Sequence, residues 1–336
     1  MSRDRHEQRI VIAGASSLLG GEVKTVLEES RFAGWDLRLV DEEDVAGTLT
    51  EAAGEAALIQ RIEEQTFHGA RFAFLTGSPD FAKQCIRPAK EAGSTILDFS
   101  RASLSDPDAT PWFPKLEALG GKSISKNSKT YSVFSAGAAA IAGLALALKR
   151  EGLKRMVAVL FRPVSEAGRE GIEELETQTS QLLSFQSVGQ KVFDAQAAFN
   201  MLAKYGVGSR HDLRRNLFET RAEVSAAAGD PELDARIAMN LLHAPVFYGM
   251  TFSACVELEE NREVLALKGL CQKAGFVFAD GGVAPSNVSV AGETHVTLGE
   301  PEPDVTRDGT WWFWGAADNL RLPAWNGCKL AEWLEG

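Results

Sequence analysis

The first hundred residues alternate short apolar runs with amphipathic stretches, and that alternation limits the fold more than any other feature of the chain. Arg9-Ile-Val-Ile-Ala13 has strand length, Gly14-Ala-Ser-Ser-Leu-Leu-Gly20 is a glycine-bracketed turn, and Val23, Val26 and Leu27 then recur at helical spacing until the polar close Glu28 to Arg31. Leu37 to Val40 gives a second strand that ends at the acidic run Asp41-Glu-Glu-Asp44. Strand Phe72 to Leu75, helix Asp80 to Ala92 and strand Thr95 to Asp98 continue the series. Strands and helices joined by short connections require a parallel, doubly wound sheet, so the fold class is α/β.

The character changes after Lys126. Tyr131 to Phe134 reads as a last strand, and Ala138 to Lys149 as a small-residue helix packed closely on its neighbours, so a domain junction falls here. Met156 to Phe161 is apolar on both alternating faces, as in a strand covered on both sides. Ile172, Leu175, Thr179 and Leu182 form one stripe of a helix over Glu166 to Leu183. Val246 to Leu258 alternates in period two, which predicts a long strand of a half-covered antiparallel sheet. Helix Arg262 to Ala274 and short strands at Phe276 to Phe278, Val288 to Val290, Val296 to Leu298 and Trp311 to Gly315 complete an α+β second domain, and a final helix Ala324 to Leu334 is free to return to the first.

With 336 residues, 45% of them hydrophobic, the chain has ordinary globular composition and length for two domains. Its net charge of −11 and scattered basic residues argue against nucleic acid or anionic membranes as partners. Tyr131 to Leu148 is uncharged and long, but its Ala and Gly content suits a buried helix better than a membrane span. Met1 to Gln8 lacks the zones of a signal peptide. Cys85, Cys255, Cys271 and Cys328 show no CxxC spacing, which favours reduced thiols and a cytoplasmic chain. None stands at a strand-to-helix junction that would activate it. His6, His68, His211, His243 and His295 are isolated, so no metal site is expected. Trp311-Trp312-Phe313-Trp314, with few basic neighbours, reads as core or subunit interface.

Gly14 sits where a tight strand-to-helix turn needs it, and Gly20 and Gly21 where a helix would pack on the sheet. A dinucleotide fingerprint wants one more glycine between them, and Ser16-Ser17 takes that place. Such a turn equally opens any α/β domain. Asp41 is placed to accept a hydrogen bond from a ribose 2′-hydroxyl and to repel a 2′-phosphate, which favours NAD over NADP; Asp41 to Asp44 equally reads as a solvated acidic loop.

Taken together and in order, several segments resemble the aspartate-semialdehyde dehydrogenase family over essentially the whole chain. They are Gly14 to Gly20, Ala89-Lys-Glu-Ala-Gly93 with Ile96-Leu-Asp98, and Pro163-Val-Ser-Glu-Ala-Gly168 with Gly171-Ile-Glu-Glu-Leu175 and Gln178. Ala198-Phe-Asn200, Glu219-Thr-Arg221, Ala317-Asp-Asn-Leu-Arg321, Trp325-Asn326 and Leu330-Ala-Glu332 follow. The resemblance implies a Rossmann-type NAD(P)-binding domain over 1–137, completed by a returning C-terminal helix 318–336, and an α+β substrate and dimerisation domain over 138–317. It also implies a homodimer, and a cofactor at Gly14, Ser16, Ser17, Leu18 and Gly20, with Asp41, Gly77 and Asn319.

Active members of that family reduce aspartyl phosphate to the semialdehyde through a thioester on a cysteine. In this sequence the family's cysteine falls on Ala139, its glutamine on Arg162, the first glycine of its Ser-Gly-Ala-Gly turn on Glu166, its substrate arginine on His243 and its histidine base on Met250. The phosphate-binding arginine falls near Leu104, with Arg101 one turn away, and Arg215 keeps a basic group at the lysine position. Ser135 is the one hydroxyl near the nucleophile's place, and no His or Lys is expected beside it. With nucleophile, base and anchors replaced, the acyl-enzyme route has no means to run.

Ala-Pro-Val-Phe-Tyr-Gly from Ala244 and Ala-Phe-Asn-Met from Ala198 resemble the Usg-type paralogues, which lack the cysteine. The expected function is therefore a non-catalytic or altered-function homodimer that keeps NAD binding. Two alternatives stay open: an active oxidoreductase on another aldehyde or acyl substrate, with Arg162, Arg215, His243 and Tyr248 lining the pocket, and a regulatory partner of an active paralogue.

Overall fold

The computed structural model describes residues 8–52 and 54–336, and the chain divides into two compact units. The first unit comprises residues up to Pro114 with Ile124–Phe134 and Pro323–Gly336; the second comprises Lys115–Ser123 and Ser135–Leu322. Residues 1–7, with His6 and nearly all of the N-terminal stretch read above, lie outside the described residues.

In the first unit β1 (Arg9–Ala13), α1 (Leu18–Glu28) and β2 (Asp36–Asp41) are followed by the hairpin β3 (Leu49–Ala52) and β4 (Glu55–Leu58). Then come β5 (Gln60–Arg61), β6 (Phe72–Leu75), α2 (Pro79–Glu91), β7 (Thr95–Asp98), β8 (Thr110–Trp112) and β9 (Thr130–Val133). Seven strands make one sheet in the order β5-β2-β1-β6-β7-β9-β8, every neighbouring pair parallel. Alternate residues of the apolar strands feed two cores. Ile10, Ile12, Phe72 and Phe74 pack with Val23 and Leu27 of α1 and with Ala324, Cys328 and Ala331 of the C-terminal helix (Arg321–Glu335). Val11, Ala13, Ala73 and Leu75 pack with Phe81, Ala82, Cys85 and Ala89 of α2. A strand that reads apolar at every position is thus covered on both faces, the doubly wound arrangement the alternation requires. The chain leaves β1 toward β2 on one side and returns to β6 on the other, so the topological switch point lies between β1 and β6.

The second unit contains α3 (Ala136–Lys149), β10 (Leu153–Arg162), α4 (Gly168–Leu183), α5 (Leu213–Ala228), α6 (Pro231–Ala235), β11 (Ile237–His243) and β12 (Met250–Leu258). It continues with α7 (Val264–Lys273), β13 (Val277–Phe278), β14 (Thr297–Leu298), β15 (Glu302–Pro303) and β16 (Thr310–Ala317). Its sheet runs β11-β10-β12-β16-β14-β13, parallel between β10 and β11 and antiparallel from β10 through β12 to β16. The uncharged stretch from Tyr131 resolves into β9 and the buried helix α3, and among the described residues no helix is long and apolar enough to cross a membrane.

Three expectations change. Only one face of β10 is buried; Val157 is 37% exposed and Val159 and Phe161 are half-buried, so the strand is covered on one side. β12 begins at Met250 rather than Val246, because Gly249 turns the chain at φ +80°, and a Cβ there would lie 2.3 Å from the Asn287 carbonyl oxygen. Residues 288–290 form a turn, not a strand. The open face carries rows set by register: Ala238, Val157, Cys255 and Trp312 in one, Asn240, Val159, Ser253 and Trp314 in the next. Trp311 and Phe313 point the other way into the core, one of the two roles open to the aromatic run, while Trp312 and Trp314 lie on the open face.

Candidate functional site

At the switch point the turn after β1 is held by a closed set of hydrogen bonds. The N–H groups of Gly14 and Ala15 both donate to the Val40 carbonyl, that of Ser16 donates to Asp41 Oδ2 at 2.7 Å, and that of Ser17 donates to the Gly14 carbonyl. Ser17 is the N-cap of α1: its Oγ accepts from Gly20 N at 2.9 Å and donates to the Thr76 carbonyl. Leu18 and Leu19 are the first two residues of α1, at the positive end of the helix. Gly14 and Gly77 touch: a Cβ on Gly14 would lie 2.1 Å from Gly77 N.

Asp41 is buried, and its two oxygens accept from Ser16 N and Glu42 N, so it orders the turn as well as lining the cleft beside it. That cleft, about 680 Å³, is lined by the carboxylates of Asp41, Glu42, Glu43, Glu63 and Asp80 against the one guanidinium of Arg61. Such a lining opposes a phosphate and tolerates a hydroxyl. Asn319 lies in the second unit, where it bridges Gly249 N and Ser165 Oγ.

Among the residues expected to line a substrate pocket, Arg162 and His243 end neighbouring strands and are register partners. Arg162 is 3% exposed; its Nε donates to Glu166 Oε2 at 2.9 Å and Nη2 to the Glu166 carbonyl, while Nη1 is buried without a hydrogen-bond partner. His243 is fully buried. Its Nε2 faces the Ala197 carbonyl at 3.1 Å, so Nε2 carries the proton and Nδ1 accepts from the Tyr205 hydroxyl at 3.2 Å. The hydroxyl beside His243 is therefore that of Tyr205; Tyr248 is half-exposed, its carbonyl accepting from Asn287. Arg215 is an exposed cation paired with Glu219 on the same helix.

Desolvation lowers the His243 pKa from 6.5, with Arg162 adding to the effect, and the bond to Ala197 opposes it. The native state thus holds His243 neutral while the unfolded chain takes up a proton below about 6.5. Stability is full above that pH and falls as pH drops through the window beneath it, by at most about 1.4 kcal/mol per pH unit from this group. Chemical denaturation between neutral and mildly acid pH should show this slope, and His243→Asn should flatten it.

Two further features join groups that no local pattern pairs. Glu223 of α5 is buried and accepts from both the backbone N–H and the hydroxyl of Ser135, at 2.8 and 2.7 Å. On α4, Glu174 accepts from the N–H groups of Lys191, Val192 and Phe193, and Gln178 Oε1 accepts from those of Ala197 and Ala198. These two side chains, one helical turn apart, hold the irregular segment after α4. Glu174 and Gln178 were legible only as members of the family-like motif; nothing local marked Glu223 or Tyr205. Among the described residues no cluster of His, Cys, Asp or Glu could hold a metal ion.

A family model described as the dimerisation domain of semialdehyde dehydrogenase matches residues 144–322, more than half of the chain. The chain belongs to the semialdehyde dehydrogenase family. It is 28% identical to a USG-1 protein homolog of Azotobacter vinelandii and 26% identical to one of Pseudomonas aeruginosa, each over 97% of both chains. Its fold matches the crystal structure of aspartate semialdehyde dehydrogenase II from Vibrio cholerae with a TM-score of 0.85, at 23% identity over 97% of this chain and 98% of that one.

Set on this family fold, Ala139 lies in the first turn of α3 at 7% exposure, and Met250 opens β12, buried. Cys85, Cys271 and Cys328 are buried, and Cys255 sits half-buried on the open sheet face. Burial pushes the thiols of Cys85 and Cys271 up to about 12 and that of Cys328 to about 11, and raises that of Cys255.

Proposed function

We propose that this chain is a homodimeric member of the family that binds NAD at the Gly14 turn and does not run the cysteine acyl-enzyme reaction. The observation that carries the reading is Ala139 in the first turn of α3, where the family resemblance puts the nucleophile, together with four thiols held as unreactive neutral groups elsewhere. Met250 at the base position has no proton to exchange, and His243 is spent on Tyr205 and Ala197.

Aspartate semialdehyde supplied with phosphate and either nicotinamide cofactor should give no turnover; an ordinary enzymatic rate sinks the reading. Ala139→Cys alone should stay inactive, since a thiol without its base and substrate anchors recovers little. Calorimetry should show NAD binding and weaker NADP binding, because five carboxylates line the cleft beside Asp41. NADP binding as tight as NAD would contradict that assignment.

For the dimer, the support is the open sheet face. Val157 and Trp312, exposed 37% and 44%, flank Cys255, and Phe161 and Trp314 pack with ring centroids 6.0 Å apart on the same side. A second copy covering this face would bury an apolar patch that a monomer leaves in water. Val157→Asp places a charge at its centre and should shift sedimentation from dimer to monomer.

A further inference from the structure

We propose that the open edge of the first unit's sheet carries a binding site for a phosphate group, separate from the NAD cleft and independent of it. A cleft of about 480 Å³ runs there along β2 and β5, lined by Arg9, Arg38 and Arg61, the amides Gln60 and Gln65, and one carboxylate, Glu63. The cleft beside Asp41 shares Arg61 and Glu63 with it but sets five carboxylates against that one arginine. The sign of the lining thus reverses across Arg61, in a chain whose net charge is −11.

Strand order makes this edge. β5 pairs only with Val40 and Asp41, so among the described residues no strand lies beside Asp36 to Leu39 on that side of β2. Arg38 shares a face of β2 with Val40, which packs with Phe67 in the core. The turns over 64–69 then anchor the cations through neutral acceptors. Arg38 Nη1 donates to the Gln65 and Thr66 carbonyls at 3.0 and 2.7 Å, and Arg9 Nη1 to the His68 carbonyl at 3.0 Å. Arg9 also pairs with Asp36 and Arg61 with Glu63, whereas among the described residues no carboxylate pairs with Arg38. A half-buried guanidinium, fixed in place without a counter-ion, suits an anion from outside, and its planar fork matches phosphate.

The cleft reaches from Arg61, opposite Asp41 at the carboxyl end of β2, back to Arg9 at the start of β1. A dinucleotide binds outside the carboxyl ends of the strands, so this flank is not part of its seat. The volume exceeds that of a phosphate ion, which points to a phosphomonoester of a small metabolite.

Calorimetry on the full-length protein tests the site, with glucose 6-phosphate and inorganic phosphate as probes and chloride holding the ionic strength constant. The ester should bind saturably and more tightly than inorganic phosphate; the reverse order would keep the phosphate site and make the free ion its occupant. Arg38→Gln should weaken the ester by about tenfold or more. Gln60→Glu adds a carboxylate at an exposed lining position, leaves the anchors of Arg38 intact, and should weaken it too. Arg87→Gln removes the same charge from the exposed face of α2, outside the cleft, and should change nothing. Three results overturn the proposal: no saturable binding of either probe at millimolar concentration, equal loss in Arg87→Gln, or displacement of the ester by NAD. Failure of NAD itself to bind would refute the cofactor assignment and leave this one standing.

Discussion

Gly14→Ala is expected to lower Tm by about 10 °C or to leave the protein insoluble, an effect of about 4 kcal/mol. Gly14 holds φ +91°, where an L side chain is strained by about 1–3 kcal/mol, and its Cβ would stand 2.1 Å from Gly77 N and 2.2 Å from Gly77 Cα. Those are backbone atoms at the end of β6, so relief requires parting β1 from β6 at the switch point, with an overpacking cost of about 1–3 kcal/mol more. The hydrogen bonds of Thr76 N and Gly77 N to the Ala13 carbonyl would stretch with it. The control is Gly21→Ala, seven residues on. Nothing lies within 4 Å of a Cβ there, and a helical Gly→Ala change should stabilise by about 0.5–1 kcal/mol. Thermal unfolding of the pair checks both signs; a Gly14→Ala protein as stable as wild type would mean the turn is not built as described.

Glu174→Gln is expected to cost about 3–5 kcal/mol although it changes shape hardly at all. Oε2 of Glu174 accepts from Lys191 N at 2.7 Å and Val192 N at 2.6 Å, and Oε1 from Phe193 N at 3.1 Å. An amide supplies one acceptor and sets an NH2 group against donors on its other side, leaving buried N–H groups unpaired. The segment these bonds hold carries Phe193, whose ring lies 4.7 Å from that of Tyr205 and 5.7 Å from that of His243. Hydrogen exchange should therefore speed up first at residues 191–193 and then around His243, ahead of global unfolding. Unchanged protection of those amides would show that Glu174 is not their anchor.

Much of the first unit was legible before any coordinates. β1, β6 and β7 span the residues read from the apolar runs, because a strand buried on both faces is apolar at every position and ends where that stops. The second unit was harder for an equally physical reason. α5 turns Thr220 and Glu223 inward beside Val224 and Ala227, so its buried face does not look apolar; β11 exposes Ala238 and Asn240 along one side. β10 was misread as covered on both sides because Val157, Val159 and Phe161 are apolar yet lie on the open face. Apolar residues on an uncovered sheet carry the same pattern as a core.

By itself the sequence determined the doubly wound first domain, through its apolar runs, and it carried the ordered segments that resemble the family, with no cysteine where that resemblance puts one. Only the tertiary structure decided the state of the polar groups. Asp41 ordering the turn through Ser16, Tyr205 and Ala197 fixing the proton of His243, and Glu223 closing on Ser135 are contacts between residues 25, 38, 46 and 88 apart in the chain. A hydrogen bond depends on a fraction of an ångström between groups that only folding brings together, and no local pattern of residues encodes that distance.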